Sequence, residues 1–241
     1  MKYICLFFNF IILITIGYSH GDSLSVNIPS GLSMKNIPLL ESLNIDIKEI
    51  DTNYKTKVQI INNEQLLKMI QTNPYSIIHV CGSWCPTVIS GLDDIKKIAD
   101  STDTRYLIII SIDIFTKEQV SIMNTILLHK GINIGWYIVR NDFGNNDYSG
   151  LEKFRKMDHI YNLIHSFDSD YHKVQIQMGD NEVISVPIIP YTAIIDRNAK
   201  ILYKKIPDAP SNFLYMPQME DFYRLDVPKM IKFIRGIIKK D

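Results

Sequence analysis

The chain has only three cysteines in 241 residues, Cys5, Cys81 and Cys85, too few for a disulfide framework and without the paired Cys-X-X-Cys spacing of a zinc site. It has no excess of either charge: 26 basic and 26 acidic residues are well mixed, which excludes the one-sided field that draws a protein to nucleic acid. Glycine-rich phosphate loops, nucleophilic-serine motifs, internal repeats and low-complexity tracts are missing. His129, His159, His165 and His172 lack metal-ligand spacing and read as surface residues. Asp93-Asp94 with Lys96-Lys97 read as a solvated helix face rather than an acid–base pair. No nucleic-acid partner, no cofactor and no metal is expected.

A hydrophobic run of membrane-spanning length is missing too. The longest, from Tyr3 to Gly17, falls short of the roughly 20 residues a span requires. With one lysine before it and small polar residues after it, it reads as a signal peptide over 1–21, with cleavage near Ser19 or Gly21. An uncleaved anchor is the alternative and the only route to a membrane partner. Export, periplasmic or secreted, is therefore expected. Cys5 leaves with the signal, and Cys81 and Cys85 are then the only thiols of a protein in an oxidising compartment.

What is present is a core. Hydrophobic residues make up 46% of the chain, enough to fill one large domain. Residues 22–58 are polar and irregular, with Pro29 and Pro38, and read as an N-terminal extension that packs against a domain spanning 59–241. Asn62 with Gln65 three residues on predicts a capped helix whose stripe is Leu66, Leu67 and Ile70, ended by Asn73-Pro74. YSIIHVC (75–81) is a short continuous apolar run, the pattern of a strand buried on both faces. Then follow a helix from about Cys85 to Ala99, a strand over 105–113, a helix over 117–130 and a strand over 134–140. This alternation predicts an α/β fold with parallel neighbours. Residues 141–150 read as turns and 151–167 as helix, 168–186 resists assignment apart from a strand at VQIQM, and YTAIID with AKILYKKI reads as a hairpin turning at Arg197-Asn198. Asp226 to Lys240 closes the chain as an amphipathic helix that covers the sheet.

Cys85 sits where a buried strand gives way to a helix, with Trp84 before it and Pro86 at the favoured first-turn position after it. Unpaired N–H groups and the helix dipole stabilise a thiolate there by roughly 0.5–2 kcal/mol. That lowers its pKa by about one unit from roughly 8.5, enough for attack on a disulfide near neutral pH.

WCP (84–86) after an apolar strand resembles the active-site loop of the thioredoxin superfamily, in its exported TlpA/ResA-like thiol-disulfide oxidoreductase branch. Three further stretches are similar: NNEQLLKMIQTNPYSIIHV (62–80) to the lead-in helix and first strand, ISID (110–113) with the helix opening TKEQV to the second, and PYTAIIDRNAKILYK (190–204) to the proline-threonine strand, turn and last strand. The resemblance covers roughly residues 60–240 apart from an insertion at about 141–186. It implies a central mixed β-sheet flanked by helices. It also implies that the bond before Pro190 is cis and that Ile189 presents its backbone to an incoming chain, with Pro187 as the rival position.

The chain departs from the pattern at Val88, where the branch has its second cysteine. Valine has no sulfur and cannot release a mixed disulfide. Thiol–disulfide exchange would then run through Cys85 alone, resolved by an external thiol or by Cys81, which the resemblance puts beside the site; Cys81 as a buried strand-end cysteine is the plain alternative. His79 stands where relatives carry a buried acid or amide, and reads equally as a base for Cys85 or as a hydrogen-bonded core histidine. The expected partners are thiols and disulfides of exported proteins. A redox-inactive peptide-binding module using the groove between Trp84 and Pro190 is the rival, and a copper carrier through Cys81, Cys85 and His172 is a third reading.

Overall fold

The structure is a computed structural model and describes residues 45, 57–82, 86–112, 117–138, 158–178, 182–206 and 225–239. The expected signal peptide and the turns at 141–150 lie outside the described residues, as do Ser83, Trp84 and Cys85.

Eight strands and five helices are described. They are β1 (Val58–Ile60), α1 (Asn63–Thr72), β2 (Tyr75–Cys81), α2 (Pro86–Ser101), β3 (Leu107–Ser111), α3 (Lys117–His129), β4 (Trp136–Ile138), α4 (Asp158–His165), β5 (Lys173–Met178), β6 (Glu182–Pro187), β7 (Tyr191–Asp196), β8 (Ile201–Lys205) and α5 (Val227–Ile238). Six strands form one mixed sheet in the order β1-β4-β3-β2-β7-β8, and β5 pairs with β6 in a separate ribbon. β1, β4, β3 and β2 run parallel, β7 runs antiparallel to β2, and β8 antiparallel to β7.

β2 lies inside the sheet with a neighbour on each side, and all seven of its residues are buried, as its unbroken apolar run requires. The connections β2-α2-β3 and β3-α3-β4 step across the sheet in one direction, while β1-α1-β2 steps back. Because parallel crossovers are right-handed, α2 and α3 cover one face and α1 the other.

The local signals explain the elements. Asn62 Oδ1 accepts from the Gln65 N–H and Gln65 Oε1 from the Asn62 N–H, a reciprocal cap that starts α1. Leu66 and Ile70 point into the core, and the chain leaves the helix at Asn73 before Pro74. On α2 the buried stripe is Leu92, Ile95, Ile98 and Ala99. Met230 and Ile234 are the buried residues of α5, which is capped by Asp226 and packs on α2. The core also draws on β2, the isoleucine-rich β3 and β7, and helices α3 and α4, and Ile45 joins it from the expected extension.

Several expectations need correction. β1 was not anticipated: its three residues, Val58 half-buried and Gln59 and Ile60 exposed, carry no strand period, and only pairing with β4 makes it a strand. The strand expected over 105–113 is shorter, because a 3₁₀ turn at Thr104–Tyr106 leads into it. The described part of the helix expected over 151–167 ends at His165. Asp94 is not on a solvated face: it is 3% exposed, and its carboxylate accepts the Leu225 N–H at 3.2 Å, tying α2 to the segment that enters α5. Asp93 does lie toward solvent, paired with Lys130.

Candidate functional site

The candidate residues of β2 and β7 meet at one end of the sheet. β2 and β3 run parallel and finish at Cys81 and Ser111, which are register partners, while β7 starts at that edge because it runs the other way. In open α/β sheets, ligands bind outside the carboxyl ends of the parallel strands, where the strand order reverses. Here the order reverses at β2, whose chain successor β3 lies on one side and β7 on the other.

The β2–β7 register pairs His79 with Thr192 and Val80 with Tyr191. Continuing it by one residue sets Cys81 across from Pro190. The Ile189–Pro190 peptide bond is cis, whereas Pro187 closes β6. Pro190 is buried and Ile189 half-buried. At the same edge the chain leaves β2 through the buried Gly82 and re-enters described structure at Pro86, the first residue of α2. Residues 83–85 therefore connect the end of β2 to the start of α2. Trp84 and Cys85 themselves lie outside the described residues, and the Pro86 and Val88 side chains are likewise not described.

Cys81 is wholly buried, and its carbonyl oxygen accepts the Ile112 N–H at 2.8 Å, so the strand end is held on the β3 side. His79 occupies the same face of β2 two residues earlier. Its Nδ1 lies 2.8 Å from Thr192 Oγ1, and both side chains are fully buried. Burial pushes the His79 imidazole down from its ordinary 6.5 to about 3. The ring is neutral at physiological pH, so it offers a hydrogen-bonding nitrogen and no positive charge.

His129, His165 and His172 are exposed, and among the described residues no three His, Cys, Asp or Glu side chains are grouped to hold a metal. No described helix is long and apolar enough to cross a membrane.

The sequence pointed to His79, Cys81, Ile189 and Pro190, and the sheet gathers these four at one end. It did not point to Thr192, Asp168, Tyr171, Tyr191 or Lys204. The Tyr171 hydroxyl donates to the Ile188 carbonyl at 2.7 Å, and the Tyr191 hydroxyl donates to Asp168 at 3.0 Å. Lys204 donates to both oxygens of that carboxylate, at 3.0 and 3.1 Å. Asp168 and Tyr171 fall in the stretch without readable period, so only the long-range contacts identify them.

A mixed sheet of parallel strands extended by an antiparallel pair, flanked by helices and with a cis proline opening the first antiparallel strand, is a thioredoxin-like α/β architecture. No protein-family model matches the chain, and no curated protein matches it. Among solved structures it is similar to a thioredoxin-like protein from Aeropyrum pernix, at 15% identity and a TM-score of 0.27, over 86% of this chain and all of that one.

Proposed function

We propose that this is an exported thioredoxin-like protein that carries out thiol–disulfide exchange through a single nucleophilic cysteine, Cys85, on thiols and disulfides of other exported proteins. One observation carries the reading: the segment bearing Cys85 bridges β2 and α2 at the sheet edge where Ile189 and Pro190 enter β7. That arrangement has Cys85 directly before the 16-residue α2 in the chain, and a helix dipole favours a thiolate beside its amino end. It also supplies a backbone segment beside which an extended substrate can lie.

The chemistry balances without a cofactor. The Cys85 thiolate attacks one sulfur of a substrate disulfide, a Cys85–substrate disulfide forms, and the other substrate sulfur leaves as a thiolate that takes a proton from water. An external thiolate then attacks the substrate sulfur of the mixed disulfide and restores Cys85, so that the substrate's disulfide is exchanged with no net redox change. If the Cys81 thiolate attacks Cys85 instead, a Cys81–Cys85 disulfide forms and the substrate leaves reduced by two electrons. An external dithiol must then reduce the chain. Val88 offers no sulfur for the usual second step.

Alkylation of the purified mature protein with and without reductant tests the reading. Rapid labelling of Cys85 with Cys81 protected supports the single-thiol cycle. Labelling of both only after reduction supports resolution by Cys81. Two slowly reacting thiols would sink the redox reading and leave a peptide-binding module. Disulfide-linked proteins recovered on Cys85 would identify the substrates.

A further inference from the structure

Residues 168–186, read as the end of an insertion with one strand at VQIQM, open with a turn that grips the proline-bearing loop from both sides. Asp168 and Tyr171 are the ends of a tight turn directly after α4, closed by the Tyr171 N–H donating to the Asp168 carbonyl at 3.0 Å, and anchored to α4 by the Asp168 N–H donating to the Ile164 carbonyl at 2.8 Å. The Tyr171 hydroxyl reaches the carbonyl of Ile188, immediately before Ile189-Pro190. The Asp168 carboxylate receives the hydroxyl of Tyr191, immediately after them, and Lys204 from β8 holds the same carboxylate. The Tyr171 and Tyr191 rings meet edge to face with centroids 5.4 Å apart. Tyr171 is 1% exposed and Asp168 2%. Burial raises the Tyr171 pKa, so its hydroxyl remains a donor across the physiological range.

We infer that Asp168 and Tyr171 are positioning residues for substrate: from one turn they fix the backbone on either side of Ile189-Pro190 and so set the ledge on which a disulfide-bearing polypeptide aligns. This rests on the thiol-exchange reading in the choice of substrate, though not in the geometry of the clamp. A small disulfide reaches a thiol without lying along a backbone. A polypeptide disulfide needs the ledge. The two substrate classes therefore separate positioning from chemistry.

The experiment compares the mature chain with Tyr171→Phe, which removes one hydroxyl and keeps the ring, and with Asp168→Asn, which keeps an oxygen for Tyr191 and drops the charge facing Lys204. Three quantities are measured: kcat and KM with a disulfide-bonded peptide, the rate with 2-hydroxyethyl disulfide, and amide hydrogen exchange at Ile188, Ile189 and Tyr191. For Tyr171→Phe the expected result is a rise in peptide KM of about two- to tenfold, the worth of one buried hydrogen bond. The rate with the small disulfide stays unchanged, and amide exchange at the loop rises by a similar factor while β2 amides keep their protection. Asp168→Asn loosens Tyr191 in the same assay. Unchanged peptide KM and unchanged loop exchange in both variants overturn the inference, as does an equal slowing with both substrates. If the unaltered chain exchanges with neither disulfide, the thiol reading falls by itself, and the amide exchange alone decides whether the clamp exists.

Discussion

A histidine with no exposed surface, facing a threonine across two strands, has its chemistry set by burial. His79 loses its hydration on burial, with its Nδ1 against Thr192 Oγ1 across the sheet, so the imidazolium is disfavoured and the pKa falls to about 3. The unfolded chain binds a proton at about 6.5. Between those two values the unfolded state holds more protons than the folded one, so stability is fully present above about 6.5 and drains away as pH falls toward 3. We expect a loss of about 2 kcal/mol between about pH 7 and about pH 5 in urea unfolding. His79→Gln should flatten that dependence, at a cost near neutrality of roughly 1–3 kcal/mol for the disturbed buried hydrogen bond. A slope that survives the substitution would place the titrating group elsewhere. At the same scale, His79 is a neutral, buried partner of Thr192 that joins β2 to β7.

Elements here owe their form to caps and turns as much as to period. The Asn62–Gln65 cap is visible in the sequence because both partners lie within one helical turn. The β7–β8 hairpin is visible for the same reason: Asp196 Oδ1 accepts the N–H groups of Asn198 and Lys200, both at 2.9 Å, and this organises the turn. One detail of that turn was not visible. Ala199 has φ of 59°, a left-handed conformation in which its methyl group crowds the carbonyl. Ala199→Gly removes the crowding and offsets it with a freer unfolded chain, for a net gain of about 0.5–1 kcal/mol. Thermal unfolding measures it, and a lower melting temperature would contradict the account. Helix α2 gives the opposite lesson. Its charge pattern of Asp93-Asp94 and Lys96-Lys97 looked solvated throughout, but Asp94 turns inward to the Leu225 N–H, a partner 131 residues away.

At the level of the molecule, one hydrophobic core joins the sheet to its helices, and the C-terminal helix completes it. Met230 and Ile234 are fully buried on α5, whereas Phe233 is 39% exposed beside Tyr203. Ile234→Ala should therefore cost about 2–5 kcal/mol by the cavity it leaves. Phe233→Ala should cost less, and a denaturant titration of both variants reverses the idea if Phe233 proves the more damaging. The sequence by itself determined the alternation of strands and helices, the buried central strand, the final hairpin and the segment that bears the candidate thiol, because each is written in periodicity or turn chemistry over a few neighbouring residues. Tertiary structure alone decided that β1 joins β4, that Asp94 is buried, that Cys81 lies across from Pro190, and that one turn after α4 grips both sides of the proline loop. Those are contacts between residues far apart in the chain, where pairing partner and burial, rather than local pattern, set the conformation and the chemistry of each side chain.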